Sequence, residues 1–183
     1  NSLSVPVAII IAGFIIAGGI YFSNKGSAPV AQNNQAVASA TDVNINPISK
    51  DDHILGNPDA PIALVEFSDT ECPFCKMFHT TMQTIMNTYG KEGKVAWVYR
   101  HFPLDSLHRK ARNEAMATEC VNELGGNTAF WKMLDTIYLN TPSNDGLDAS
   151  RLPDFAKSAG VDAASFNECL ASGRYSGFVE AQF

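Results

Sequence analysis

An α/β fold built around a parallel βαβ unit follows from three features of the chain. Ile62-Ala63-Leu64-Val65-Glu66-Phe67 and Lys94-Val95-Ala96-Trp97-Val98-Tyr99-Arg100 are strand-length, nearly apolar runs. Between them Phe74, Met77, Phe78, Met82, Ile85, Met86 and Tyr89 recur at three- and four-residue steps, which is one apolar stripe on a helix. Two strands joined through such a helix lie parallel, with a right-handed crossover.

In chain order, Val5–Phe22 comes first, an uncharged apolar stretch of about 18 residues, long enough at 1.5 Å per residue to cross a bilayer core. A signal-peptide apolar region is usually shorter, and the cleavage-like Ala38-Ser39-Ala40 lies too far downstream. A transmembrane anchor over residues 1–22 is therefore favoured over a removed signal, and either one exports the chain. Asn1 is not a methionine, so the true start and any basic flank that would orient the anchor are expected upstream. Residues 23–50, rich in Gly, Ser, Ala, Pro, Asn and Gln, read as a flexible tether reaching roughly 30 Å.

The globular domain is expected over 51–183. Asp52–Leu55 reads as a short edge strand, and Gly56–Pro61 as a turn leading into the first strong strand, whose continuous apolar character suits a central strand covered on both faces. Beyond Pro103 the pattern is helical: Asp105–Leu124, Thr128–Leu139, Ala149–Ala159, Ala163–Ala171 and a last segment near Tyr175. Phe130, Trp131, Leu134, Ile137 and Tyr138 read as core residues on one helix face. Two strong strands make a marginal sheet, so further C-terminal strands and a helix are expected to be missing from this chain.

The net charge of −6 and the lack of any Lys/Arg cluster leave no surface for nucleic acid. Chemistry concentrates instead at Glu71-Cys72-Pro73-Phe74-Cys75-Lys76, where strand gives way to helix. With Cys72 as cap and Pro73 as first helical residue, the proline loses nothing and the Cys72 sulfur faces unpaired N–H groups that favour thiolate. Such Cys-x-x-Cys thiols have pKa values lowered to roughly 3.5–7.5. Cys72 is thus the candidate nucleophile and Cys75 the resolving thiol. Phe74 takes the place next to Cys75 where an imidazole would help hold charge, and Asp69 and Glu71 oppose the thiolate while Lys76 favours it. The rival is half a zinc site with His79 as a third ligand, though no second ligand pair accompanies it. His53, His79, His101 and His108 receive no role, the last two reading as solvated or capping residues.

Cys120 and Cys169 complete an even count of four, as suits an oxidising compartment. Pairing Cys72 with Cys75 leaves Cys120 to bridge Cys169 and staple two helices; the alternative is two buried free thiols.

With these residues in place the chain resembles the DsbA-like family of thiol-disulfide oxidoreductases, a thioredoxin fold with a helical domain inserted, here about 105–173. The resemblance covers Asp52–Phe183 and rests on Leu55–Pro61, Val65–Asp69, Glu71–Cys75, Arg100-His101-Phe102-Pro103-Leu104, Glu119-Cys120 and Phe130-Trp131. It is nearest to the membrane-anchored, single-domain bacterial type. It implies Cys72 and Cys75 as the active pair, with Glu66 the buried acid beneath them. A carboxylate interrupting an apolar strand independently suits proton exchange with Cys75; otherwise Glu66 is an edge-strand residue facing water. The family's Thr-Pro or Val-Pro loop has no match. Thr141-Pro142, followed by Ser143-Asn144-Asp145-Gly146, reads as an ordinary turn, and the loop is expected beyond Phe183.

The resemblance implies an extracytoplasmic disulfide oxidase that introduces disulfides into exported clients with free thiols. A quinone-linked membrane reoxidase would restore it, with no metal or organic cofactor. A reductase or isomerase, or a non-enzymatic anchored module with a structural disulfide or zinc site, are the alternatives.

Overall fold

The computed structural model describes residues 45–182. The anchor expected over 1–22 and the tether up to residue 44 lie outside them. Among the described residues no helix is long and apolar enough to cross a membrane.

The sheet has three strands in the order β1-β3-β2: β1 His53–Gly56, β2 Ile62–Ser68 and β3 Val95–His101. β1 runs antiparallel to β3, with His53 opposite Tyr99, and β2 runs parallel to β3, with Glu66 opposite Tyr99. The α/β class and the parallel unit are as the apolar runs require, but the expected central strand is not. β3 is central and buried at every position, whereas Ile62, Ala63, Leu64 and Phe67 of β2 are exposed. The reason is flanking: β3 pairs on both sides, and β2 has one neighbour among the described residues. Gly56 ends β1 at φ 98°, where an added Cβ would fall 2.7 Å from Met86 Cε, so this turn requires glycine.

Helix α1 (Pro73–Ile85) follows β2 and passes into a wider turn at Met86–Gly90. Its stripe divides. Cys75, His79, Met82 and Met86 face inward, and Phe74, Met77, Phe78 and Tyr89 face out. The two sets lie about 100° apart round the helix axis. Trp97, Trp131 and Leu134 share one core with Met82 and Met86.

Helix α2 (Ala111–Asn140) runs on through a break at Gly126, whose φ of 74° is non-helical. It starts at 111 rather than 105, because Leu104 O accepts from Leu107 N and His108 N and the His108 ring is drawn to Asp69. Beyond the break its aromatic set divides as well. Phe130, Trp131, Leu134 and Tyr138 pack on the sheet, while Met133 and Ile137 join Leu147, Leu152, Phe155 and Phe166 in a helical core. That core is completed by α3 (Leu152–Ser158) and α4 (Ala163–Ser172), α4 being capped by Asp162 Oδ1 accepting from Ser165 N and closed by Gly173 in the left-handed region. A short α5 (Ser176–Glu180) follows.

A disulfide joins Cys120 on α2 to Cys169 on α4 across 49 residues of chain. Closing a loop of that length removes unfolded-state entropy worth about 4 kcal/mol in the chain-entropy estimate. Urea unfolding of a Cys120→Ala/Cys169→Ala variant should therefore show a stability loss of about 2–4 kcal/mol.

Candidate active site

The site begins at the end of β2. Cys72 is the N-cap of α1, with extended backbone (φ −78°, ψ 122°), and Pro73 is the first helical residue. Cys72 N donates to Asp69 O at 3.1 Å, and Lys76 N donates to Cys72 O at 3.0 Å, so the cysteine is clasped between turn and helix. Both thiols are free and half-buried. Phe74 stands out beside them, 72% exposed.

Cys75 lies one turn in, on the buried face. Burial, reinforced by the neighbouring Cys72, pushes its thiol up to about 11, although the Asp69 backbone and the Ser68 hydroxyl pull the other way. Glu66 is buried on β2, accepting from Trp97 Nε1 at 2.8 Å, and burial raises its carboxyl although Ser68 and Trp97 oppose the shift. Ser68 is the hub of this floor. Its hydroxyl acts on both Glu66 and Cys75 and lies 2.8 Å from Tyr138 Oη. Tyr138 in turn is 3.5 Å from Tyr99 Oη and donates to Asp69 O. Burial raises both phenols well above their ordinary range, and the charges of Glu66 and Cys75 add to the shift, so these groups share one confined space.

The turn preceding Cys72 is buried throughout. Asp69 accepts from Glu71 N, Leu104 N and the His108 ring. Glu71, 0% exposed, accepts from Thr141 Oγ1 at 3.0 Å, Gly146 N at 3.2 Å and Leu147 N at 3.0 Å, while its own carbonyl accepts from Asn144 N. Lys76 Nζ donates to Thr141 O at 2.6 Å. The segment read as an ordinary turn is therefore a loop docked on the dithiol turn. Ser143, Asn144 and Asp145 all have positive φ in it, a conformation held only where surroundings impose it. Glu71 and Lys76, expected to act on the Cys72 sulfur as charges, are tied into this docking, and Asp69, expected to act likewise, is tied to the Leu104–His108 segment.

His79 corrects the zinc alternative. Its Nε2 pairs with Asp135 Oδ1 at 2.7 Å one turn beyond Cys75 on the inward face of α1, and among the described residues it does not gather with Cys72 and Cys75 as metal ligands. His101 and His108, expected to be solvated or capping residues, are buried, with His101 and His53 on Glu119 and His108 on Asp69. Of the singled-out residues, Cys72, Pro73, Phe74, Cys75 and Glu66 come together here, and Cys120 and Cys169 lie in the helical core. Ser68, Trp97, Tyr99, Tyr138 and Glu114 were not singled out. The polar tips of Trp97 and Tyr99 in an apolar strand are the one hint the sequence holds.

Glu114 shows how tightly the turn is enclosed. Burial first, and then the adjacent Glu71, push its carboxyl from 4.5 up to about 8. The retained proton gives Oε1, otherwise unpartnered, a donor for Glu71, while Oε2 accepts from Thr70 Oγ1 at 2.6 Å. Because the folded chain binds this proton more tightly than the unfolded one, its contribution to stability is full below pH 4.5 and is lost as pH rises to about 8. Urea unfolding at about pH 5 and pH 8 should show Glu114→Gln losing less stability across this interval than the parent.

The chain matches the thioredoxin family over residues 49–183. The Na+/H+ antiporter NhaA 1 of Mycolicibacterium gilvum is 34% identical over 117 residues, 64% of this chain and 18% of the antiporter. The chain spans about a fifth of the length of the antiporter relatives it matches. A probable disulfide bond formation protein D of Bacillus cereus is 33% identical over 90 residues, 47% of this chain and 39% of that protein. Oxidised BdbD from Bacillus subtilis has the same fold, with a TM-score of 0.67 at 25% identity over 75% of each chain.

Proposed function

This chain belongs to the thioredoxin family, among its DsbA-like members with a helical insertion, and from that premise we propose that it is an extracytoplasmic disulfide oxidase working through Cys72 and Cys75. The observation that carries the reading is Cys72 capping α1 ahead of Pro73, with Cys75 one turn in and the Ser68 hydroxyl acting on both it and the buried Glu66.

In the forward step a client thiolate attacks Cys72 Sγ of the Cys72–Cys75 disulfide. The sulfur–sulfur bond breaks, and Cys75 leaves as a thiolate that takes a proton. A second client thiolate then attacks the client sulfur of the mixed disulfide and releases Cys72. The client loses two electrons and gains a disulfide, and the dithiol holds the two electrons. Burial favours the neutral thiol at Cys75, and the raised carboxyl of Glu66 suits it as the proton donor. A quinone-linked membrane protein is the proposed acceptor of the electrons.

Several features support export and anchoring. The uncharged stretch Val5–Phe22 suits a single-pass anchor, residues 23–50 suit a tether, and the Cys120–Cys169 bridge suits an oxidising compartment. One observation favours a second reading, reductase or isomerase. A leaving thiol raised to about 11 departs slowly, which slows the oxidation of a client by the Cys72–Cys75 disulfide.

Oxidation of a reduced two-cysteine test peptide by the full chain separates these readings. Cys72→Ser should reduce it to background, and Cys75→Ser, given the homodisulfide of a one-cysteine peptide, should accumulate a mixed disulfide at Cys72 as one peptide leaves as its thiol. Glu66→Gln should slow the step that protonates Cys75 by about 10²-fold, a loss read by stopped-flow. If Cys72→Ser oxidises the peptide as well as the parent, the reading is wrong. A dithiol that reduces insulin faster than it oxidises the peptide favours the second.

A further inference from the structure

The Glu119 carboxylate on α2 is held between two imidazoles, away from the dithiol. His53 Nε2 lies 2.7 Å and His101 Nε2 2.8 Å from the same oxygen, Oε1. The three residues are 3%, 1% and 1% exposed, and their potential ligand atoms all lie within 4.8 Å of one another. Topology brings them together. His53 stands opposite Tyr99 in the β1–β3 pair and His101 is two residues further along β3, so both side chains leave the same face of the sheet. Phe130 stacks on the His53 ring at 3.6 Å, and the Tyr99 ring meets His101 edge-on at 5.3 Å, which fixes both imidazoles.

We propose that His53, His101 and Glu119 bind a divalent first-row transition-metal ion, reached through the cleft that adjoins them. Two imidazole nitrogens and one carboxylate oxygen are a donor set of open zinc sites, whereas magnesium and calcium favour all-oxygen shells. The dimensions fit. With bonds of about 2.0–2.1 Å, donors in a tetrahedral site stand about 3.3 Å apart, so each His–Glu separation has to open by roughly half an ångström. Each imidazole that now donates from Nε2 carries its proton on Nδ1 when it ligates, with no electron exchanged.

Access and the open position come from one place. A cleft of about 290 Å³ has His53, Glu119, Asp51, Asn122 and Asn127 among its walls, so water or a further oxygen donor can complete the shell. Buried histidines and a carboxylate can also form a closed hydrogen-bonded triad, but the cleft reaches two of the three members. The inference does not rest on the dithiol reading, since none of its residues belongs to that site.

The test is made on the full chain carrying Cys72→Ser and Cys75→Ser, so that thiolates do not compete for the metal. Zinc is titrated into the chelator-treated protein against a chromogenic zinc indicator. One zinc per chain is expected, with affinity weakened roughly tenfold or more by His53→Asn, His101→Asn or Glu119→Gln. Because a change in a buried cluster can itself destabilise the chain, the thermal midpoint is also read with and without zinc. A zinc-dependent rise in the parent that is absent from the folded variants supports the site. No stoichiometric zinc in the parent, or equal affinity and equal rises in parent and variants, overturns it.

Discussion

The buried carboxylate of Glu71 is the constraint from which the dithiol geometry follows. It has no contact with solvent, and its oxygens are met by Thr141 Oγ1, Gly146 N and Leu147 N. A carboxylate removed from water costs several kcal/mol unless donors replace its hydration, so the loop from 141 to 147 and the turn from 69 to 71 each require the other. The turn sets where the backbone stands at residue 72. The helical layer thereby positions the N-cap of α1, although it contributes no thiol to the site. The three successive positive φ values at Ser143, Asn144 and Asp145 are the local strain of meeting that carboxylate.

The junction of strand and helix at Cys72 was legible because two periods change there, and a proline directly after a cap residue has one comfortable position. The order of strands was not. β2 and β3 are both apolar runs, and which one is central depends on β1, a four-residue strand whose partner lies about forty residues downstream. The α1 stripe misled for another reason. Apolar spacing picks out Phe74, Met77 and Phe78, while the inward face is set by Cys75, His79, Met82 and Met86, and a hydropathy reading discounts a cysteine and a histidine. The polar floor was invisible, since its hydrogen-bonded partners are 31 to 70 residues apart in the chain. Glu66 could be singled out because a charge inside an apolar strand is anomalous in one dimension.

Placing Cys75 rather than Phe74 on the buried face has a chemical consequence. Removed from water and set near Cys72, its sulfur is held as a neutral thiol, with Ser68 and the Asp69 backbone as partial compensation. Cys72, at the cap, meets the open end of the helix instead. Two cysteines three residues apart thus occupy unequal environments, and that inequality is what an ordered exchange needs, one sulfur to attack and one to retain a proton.

The dithiol floor and the Glu119 cluster are linked by contact, because Tyr99 touches His101 with its ring and Tyr138 with its hydroxyl. Contact alone is not coupling, which requires an element with two arrangements that both sites bias. β3 offers none, being buried and paired along both edges. Trp97 and Tyr99 are locked against Trp131 and Phe130, so the strand works as a fixed partition. A cation at Glu119 would therefore stabilise the β1–β3–α2 junction without altering the sulfur chemistry, and the two proposals stand or fall separately.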